Sequence, residues 1–209
     1  KEDDVFLSTK EGKCLRFPIS NVRKFSGRNS VGVRGIRLSK DDMVISMYIL
    51  KHAKFTIDER NDYLKIANAI RRKELRRSTP FNKLSKGTQL SENKFVEMEN
   101  IEEFILSIAD NGFGKRSSAY EYRITSRGGK GIANMSVNKK IGKVVSSFPV
   151  NEKDDIMLIA GTGKLIRSPV NKIRISGRTT QGVTLFKVES SEKVLSAASI
   201  KDLNIGSEE

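Results

Sequence analysis

Tryptophan is absent from the 209 residues, and cysteine and histidine occur once each, as Cys14 and His52. A single cysteine excludes an internal disulfide and fits a reducing cytoplasm. One histidine beside one cysteine is too little for a His/Cys zinc site or for Cys-His catalysis. No metal site and no catalytic residue is therefore expected, and His52 reads as a surface residue. No run approaches the 18 apolar residues that suggest a membrane helix, and the charged opening Lys1-Glu2-Asp3-Asp4 is no secretory signal, so a cytoplasmic protein is expected. Hydrophobic residues make up only 37% of the chain, against roughly 45–50% in typical globular domains. Several small cores suit that figure better than one deep core. A Walker phosphate loop is missing as well: Lys164 is followed by Leu165 and Lys115 by Arg116, where a Ser or Thr is required.

Positive charge, by contrast, is abundant. The net charge of +14 and the pI near 9.9 point to a polyanion partner, nucleic acid first among them.

The chain repeats a unit of about 50 residues. Its clearest copy runs Asp154-Asp155-Ile156-Met157-Leu158-Ile159-Ala160, a Gly turn with Lys164 behind it, a second strand through Arg167, and the polar loop Ser176-Gly177-Arg178-Thr179-Thr180-Gln181-Gly182-Val183. A first copy lies 151 positions earlier, with Gly12 matching Gly163 and Asp3 matching Asp154. A further copy lies between them, with Arg116 standing 100 positions after Arg16 and 51 before Arg167. A strand-rich repeat of this length predicts an all-β, propeller-like array of about three four-stranded blades. The expected boundaries are 1–50, 104–150 and 151–203 for the blades, 51–103 for a partly helical insertion, and 204–209 for an acidic tail.

Within the first copy, Val5–Ser8 and Lys13–Phe17 should form a hairpin that Pro18 ends, with another strand from Met43 to Tyr48. The paired aspartates (Asp3-Asp4, Asp41-Asp42, Asp154-Asp155) read as turn residues before strands. In the insertion, Thr56 and Glu59 make a capping box. Tyr63, Leu64, Ala67 and Ile70 follow at helical spacing. The basic run Arg71-Arg72-Lys73, Arg76-Arg77 closes that helix, Pro80 breaks it, and Phe95–Phe104 suggests a second short helix.

Basic positions recur with the repeat. Lys13, Arg16, Arg23 and Arg28 correspond to Lys115, Arg116, Arg123 and Arg127, and to Lys164, Arg167, Arg174 and Arg178. Equivalent positions in successive blades share a radius, so the recurrence predicts a positive stripe suited to phosphate neutralisation. The loop Arg127-Gly128-Gly129-Lys130-Gly131 adds glycines that let a phosphate approach the backbone.

These motifs carry a family resemblance. Gly32-Val33-Arg34-Gly35-Ile36-Arg37-Leu38, Asn111-Gly112-Phe113-Gly114-Lys115-Arg116 and Gly177-Arg178-Thr179-Thr180-Gln181-Gly182-Val183 resemble the later blades of the C-terminal DNA-wrapping domain found in the A subunit of bacterial DNA gyrase. Everything except about Leu50–Glu103 is covered. The resemblance implies a β-pinwheel whose blades exchange strands and whose basic rim bends duplex DNA. The family usually has six blades, and this chain shows three, opening directly on a strand as a piece of something longer would. Ser126-Arg127-Gly128-Gly129-Lys130-Gly131 reads as a DNA-contact loop akin to the family's signature box, without its leading Gln.

Implied with it are a duplex DNA partner and, in the parent type II topoisomerase, the gyrase B subunit, an A2B2 assembly, ATP and Mg, and a nucleoid-associated location. No cofactor is expected in this stretch. The DNA-contact set then comprises Arg34 and Lys130 together with the twelve recurring positions named above. The topoisomerase IV counterpart and a protein-binding propeller are the rival readings.

Overall fold

The computed structural model describes residues 2–72, 78–189 and 192–201. Each copy of the repeat folds around an antiparallel hairpin. The first has β1 (Asp4–Thr9) and β2 (Lys13–Pro18), flanked by β3 (Val44–Leu50). The insertion supplies α1 (Ile57–Arg71), α2 (Phe81–Leu84) and α3 (Glu92–Asn100). The second copy has β4 (Phe104–Ala109), β5 (Phe113–Ser118), β6 (Ile132–Ala133) and β7 (Val144–Val150). The third has β8 (Asp155–Ala160), β9 (Leu165–Pro169), β10 (Val183–Thr184) and β11 (Val194–Ile200).

Blades borrow strands forward. The first sheet has the order β3-β1-β2-β6 and the second β10-β5-β4-β7, so each is completed by a short strand from the following copy. The third sheet, β11-β8-β9, holds three strands rather than the expected four, because no fourth copy lies among the described residues. Between blades the cores are small, as the low apolar content predicts. Phe6, Cys14, Leu50, Ile105 and Tyr122 fill the first seam. Leu106, Phe148, Val150, Ile156, Leu158 and Val194 belong to the second. At the first seam, buried Asn134 donates to Ser107 and Ser147 at 3.0 Å and accepts from the Tyr122 hydroxyl at 2.8 Å. Paired in this way, the polar groups avoid the cost of unsatisfied burial.

The turn glycines show what a seam demands. Gly112 has φ +79°, and a side chain there would collide with the Phe186 carbonyl oxygen of the next copy. Its equivalent in the third blade, Gly163, has φ +82° with open space around it. One sequence position thus answers to turn geometry alone in one blade, and to close backbone approach as well in another.

The insertion has a core of its own. Phe55, Tyr63, Ile66, Met98 and Phe95 pack around Tyr120 of the second blade, whose hydroxyl donates to the Met98 carbonyl at 2.9 Å. The expected capping box is present, with Glu59 N–H donating to Thr56 Oγ1 at 3.1 Å and Thr56 N–H to Glu59 Oε2 at 2.7 Å. The second helix starts at Glu92 and ends at Asn100, earlier than the expected Phe95–Phe104, because Ser91 caps it and Phe104 is drawn into β4. The basic residues Lys73, Arg76 and Arg77 lie outside the described residues.

One aspartate reading and the histidine reading change. Asp4 is a strand residue with no exposed surface, held between the Arg16 guanidinium at 2.8 Å and the His52 ring at 2.7 Å. His52 is therefore half-buried and engaged, not a free surface residue. Asp154 does serve a turn, accepting from Asn151 N–H at 2.9 Å.

Candidate nucleic-acid interface

A residue's place in the strand exchange decides which recurring cations can meet a ligand. Arg16 lies in β2 and is buried. Its Nε donates to Asp4, one terminal nitrogen donates to the Ala119 carbonyl at 2.9 Å, and the other to Lys51 at 2.8 Å. Arg116 repeats the arrangement one blade on, its Nε donating to the Ile173 carbonyl at 2.8 Å and a terminal nitrogen reaching Glu152 at 3.3 Å. Burial pulls the Arg116 pKa below its ordinary value, against the opposing pull of Glu152. Both side chains staple a blade to the turn of the next. Lys115 is buried too, its ammonium donating to the Gly177 carbonyl at 2.7 Å and to that of Arg178. Desolvation draws its pKa down to about 7, with Glu121 countering only in part.

Arg16, Lys115 and Arg116 are therefore corrections to the expected stripe. Their donors are spent on carbonyl and carboxylate oxygens inside the molecule.

Other members of the set lie outside. Arg23, Arg28, Arg34, Arg123, Lys130, Lys164, Arg167 and Arg174 are exposed, while Lys13, Arg127 and Arg178 are half-buried. Arg23, Arg123 and Arg174 each stand two residues past a 3-10 turn (Ile19–Asn21, Ala119–Glu121, Val170–Lys172). The turn projects the side chain away from the sheet. Arg23 lies over the Phe25 ring at 5.5 Å. Among the described residues, the side chains of Arg123 and Arg174 have no hydrogen-bond or ion-pair partner, which leaves their full donor sets available. Lys164 and Arg167 are accessible but partnered, with Glu189 at 3.5 Å and Asp155 at 2.6 Å respectively.

The Gly-rich loops tie neighbouring copies together. Arg127 donates to the carbonyls of Asn21 at 2.9 Å and Arg34 at 3.2 Å, while Arg178 donates to Ala133 at 2.7 Å. Of the first-blade residues Arg28 and Arg34, neither has such a bond from its side chain among the described residues.

Two cations absent from the sequence reading lie beside this set. Lys172 is exposed and ends the turn before Arg174, while Arg60 on α1 is half-buried beside Arg123 and Arg178, its Nε donating to the Thr56 carbonyl at 3.3 Å. Neither falls on the repeat that singled out the others, and Arg60 could be found only through the charge pattern of its helix. Among the described residues no cluster of three His, Cys, Asp or Glu side chains could hold a metal ion. No helix among them is long and apolar enough to cross a membrane.

A family model described as the DNA gyrase C-terminal domain, beta-propeller, matches residues 3–51, 103–151 and 154–201, leaving out the insertion. Among curated relatives, the DNA gyrase A subunit of Rickettsia bellii is 50% identical over 210 residues, covering 100% of this chain and 23% of its own length. The DNA gyrase A subunit of Granulibacter bethesdensis is 42% identical, covering 93% of this chain and 22% of its own. The chain thus spans under a quarter of these relatives. A solved DNA gyrase A C-terminal domain superposes with TM-score 0.66 at 20% identity, over 96% of this chain and 52% of that one. The C-terminal domain of a DNA topoisomerase IV gives the same TM-score at 17% identity, over 96% and 47%.

Proposed function

From a chain that belongs to the DNA gyrase C-terminal domain family, we propose a module that binds duplex DNA without regard to sequence and bends it around its basic edge. The observation that carries the reading is the exposed series Arg23, Arg123 and Arg174, one per blade at equivalent positions. Guanidinium groups at a fixed repeat meet phosphates at a fixed repeat, and phosphate contacts position a duplex without reading its bases. Bending a site of 20–30 base pairs costs on the order of 1–6 kcal/mol. Contacts supplied by several blades in succession offset that cost, which one blade alone could not do.

In this reading the chain serves the A subunit of a DNA gyrase. Its wrap sets the handedness of strand passage, while the cleavage and ATP-hydrolysing machinery, with Mg, belongs to the rest of an A2B2 enzyme that works on chromosomal DNA in the cytoplasm. The curated relatives, which carry the name of the gyrase A subunit, favour this over the topoisomerase IV counterpart.

The test is to ligate nicked circular DNA in the presence of the protein and resolve the topoisomers. A positive shift in linking number is expected. Each of Arg123→Gln and Arg174→Gln should weaken DNA binding across all sequences, and should reduce the slope of log affinity against log salt by about 1. A wild-type protein that neither shifts linking number nor retards duplex DNA at low salt would sink the proposal.

A further inference from the structure

Each blade presents its outer arginine just past a short 3-10 turn, and the three turns differ at their middle position. Ile19–Asn21, Ala119–Glu121 and Val170–Lys172 carry Ser20, Tyr120 and Asn171 there. Ser20 and Asn171 are exposed, as suits a surface turn, whereas Tyr120 is buried. The insertion is what buries it. The Tyr120 ring stands edge-on to Phe55 at 5.8 Å and to Tyr63 at 5.3 Å, and its hydroxyl donates to the Met98 carbonyl at 2.9 Å. The insertion thus grips the second-blade turn through a side chain that the other two turns lack.

Beyond the turns, the second and third blades are anchored alike. Ile124 bridges to Arg16 and Ile175 to Arg116, so the backbone just past Arg123 and Arg174 is tied to the preceding blade in both. Ahead of Arg174 the turn rests on buried Val170 alone, with Asn171 and Lys172 exposed. Ahead of Arg123 both Ala119 and Tyr120 are buried, so the chain is held firmly on either side of the arginine. Arg123 is itself exposed, and among the described residues its side chain has no hydrogen-bond or ion-pair partner. The grip therefore restrains its base and leaves its donors free. A group held in place before binding gives up less freedom on meeting a phosphate, and that saving appears as affinity.

We propose that Tyr120 is a positioning residue for DNA contact: through it the insertion, which the family model leaves out, holds the turn that presents Arg123. This rests on the duplex-binding reading above, and it makes Arg123 the most firmly presented of the three outer arginines.

The test is a double-mutant cycle read as affinity for one duplex at fixed salt. Tyr120→Asn, which installs the third-blade residue, should weaken binding about three- to tenfold on its own. With Arg123→Gln already present it should weaken binding no further. Combined with Arg174→Gln it should act at its full factor, because Arg174 stands on another turn. Tyr120→Phe, which keeps the ring and loses the hydroxyl, should retain most of the affinity. If Tyr120→Asn fails to fold, Phe55→Leu loosens the same ring contact from the insertion side and should show the same dependence on Arg123. Losses that are equal with and without Arg123, or no loss at all, would overturn the proposal and leave the rim reading intact. Absence of duplex binding by the wild type would overturn both.

Discussion

The first and third blades carry the same ion pair in two settings. Arg16 with Asp4 and Arg167 with Asp155 occupy equivalent places on their hairpins, at 2.8 and 2.6 Å. In the first blade the side chains are 2% and 0% exposed, and in the third 65% and 24%. The local sequence is not what separates them. A neighbouring blade covers the first pair and lends it the Ala119 carbonyl, the chain past β3 adds that of Lys51, and nothing among the described residues covers the third. A buried pair deprived of one partner strands a charge in low dielectric, whereas an exposed pair contributes little. The function of an arginine here is thus assigned by what lies across the seam.

That contrast can be broken most directly by truncation. Arg16→Ala should cost about 3–5 kcal/mol, and Arg167→Ala about 1 kcal/mol or less, read as urea midpoints at constant m. Equal losses would mean that the seam contributes nothing to the pair. A smaller gap is expected between glycines. Both Gly112→Ala and Gly163→Ala force a side chain into a positive-φ turn, at a cost of roughly 1–2 kcal/mol. Only Gly112→Ala also pushes against the Phe186 carbonyl, adding about 1–3 kcal/mol of overpacking.

The remaining test concerns pH. Lys115 takes up a proton near pH 7 when folded, against 10.5 for an ordinary lysine. Between those values the unfolded chain binds more protons than the folded one, so stability rises as pH increases from 7 toward 10. The rise from this group approaches about 1.4 kcal/mol per pH unit. Lys115→Met should flatten it in thermal melts taken at successive pH values, and an unaltered slope would place the ammonium in solvent.

Much of the architecture can be read from the chain because its signals are local. The Gly12 and Gly112 turns, the hairpins they close and the Thr56–Glu59 capping box each depend on residues a few positions apart. The periodicity then aligns the three copies. What the repeat cannot separate is Arg116 from Arg123. Both recur at the blade period and both are arginine, yet one donates to Ile173 and Asn171 inside a seam and the other points outward. Their difference is set by residues some 50 positions downstream, through strand exchange that no short window contains. Asp4 and His52 escape a sequence reading for a related reason. Their partnership joins the start of the first strand to the chain just beyond β3, and no spacing rule links them.

The stapling arginines also bear on how a ligand would leave. Contacts between exposed guanidinium groups and phosphates weaken as counterions accumulate, because the screening length is only about 8 Å at physiological ionic strength. The bonds from Arg16 and Arg116 to backbone carbonyls are dry and short-ranged, and mobile ions do not reach them. Raising salt should therefore empty the outer face while the blades stay laced together. Loading and unloading of a polyanion then becomes a reversible exchange of ions on a scaffold whose shape is indifferent to that exchange.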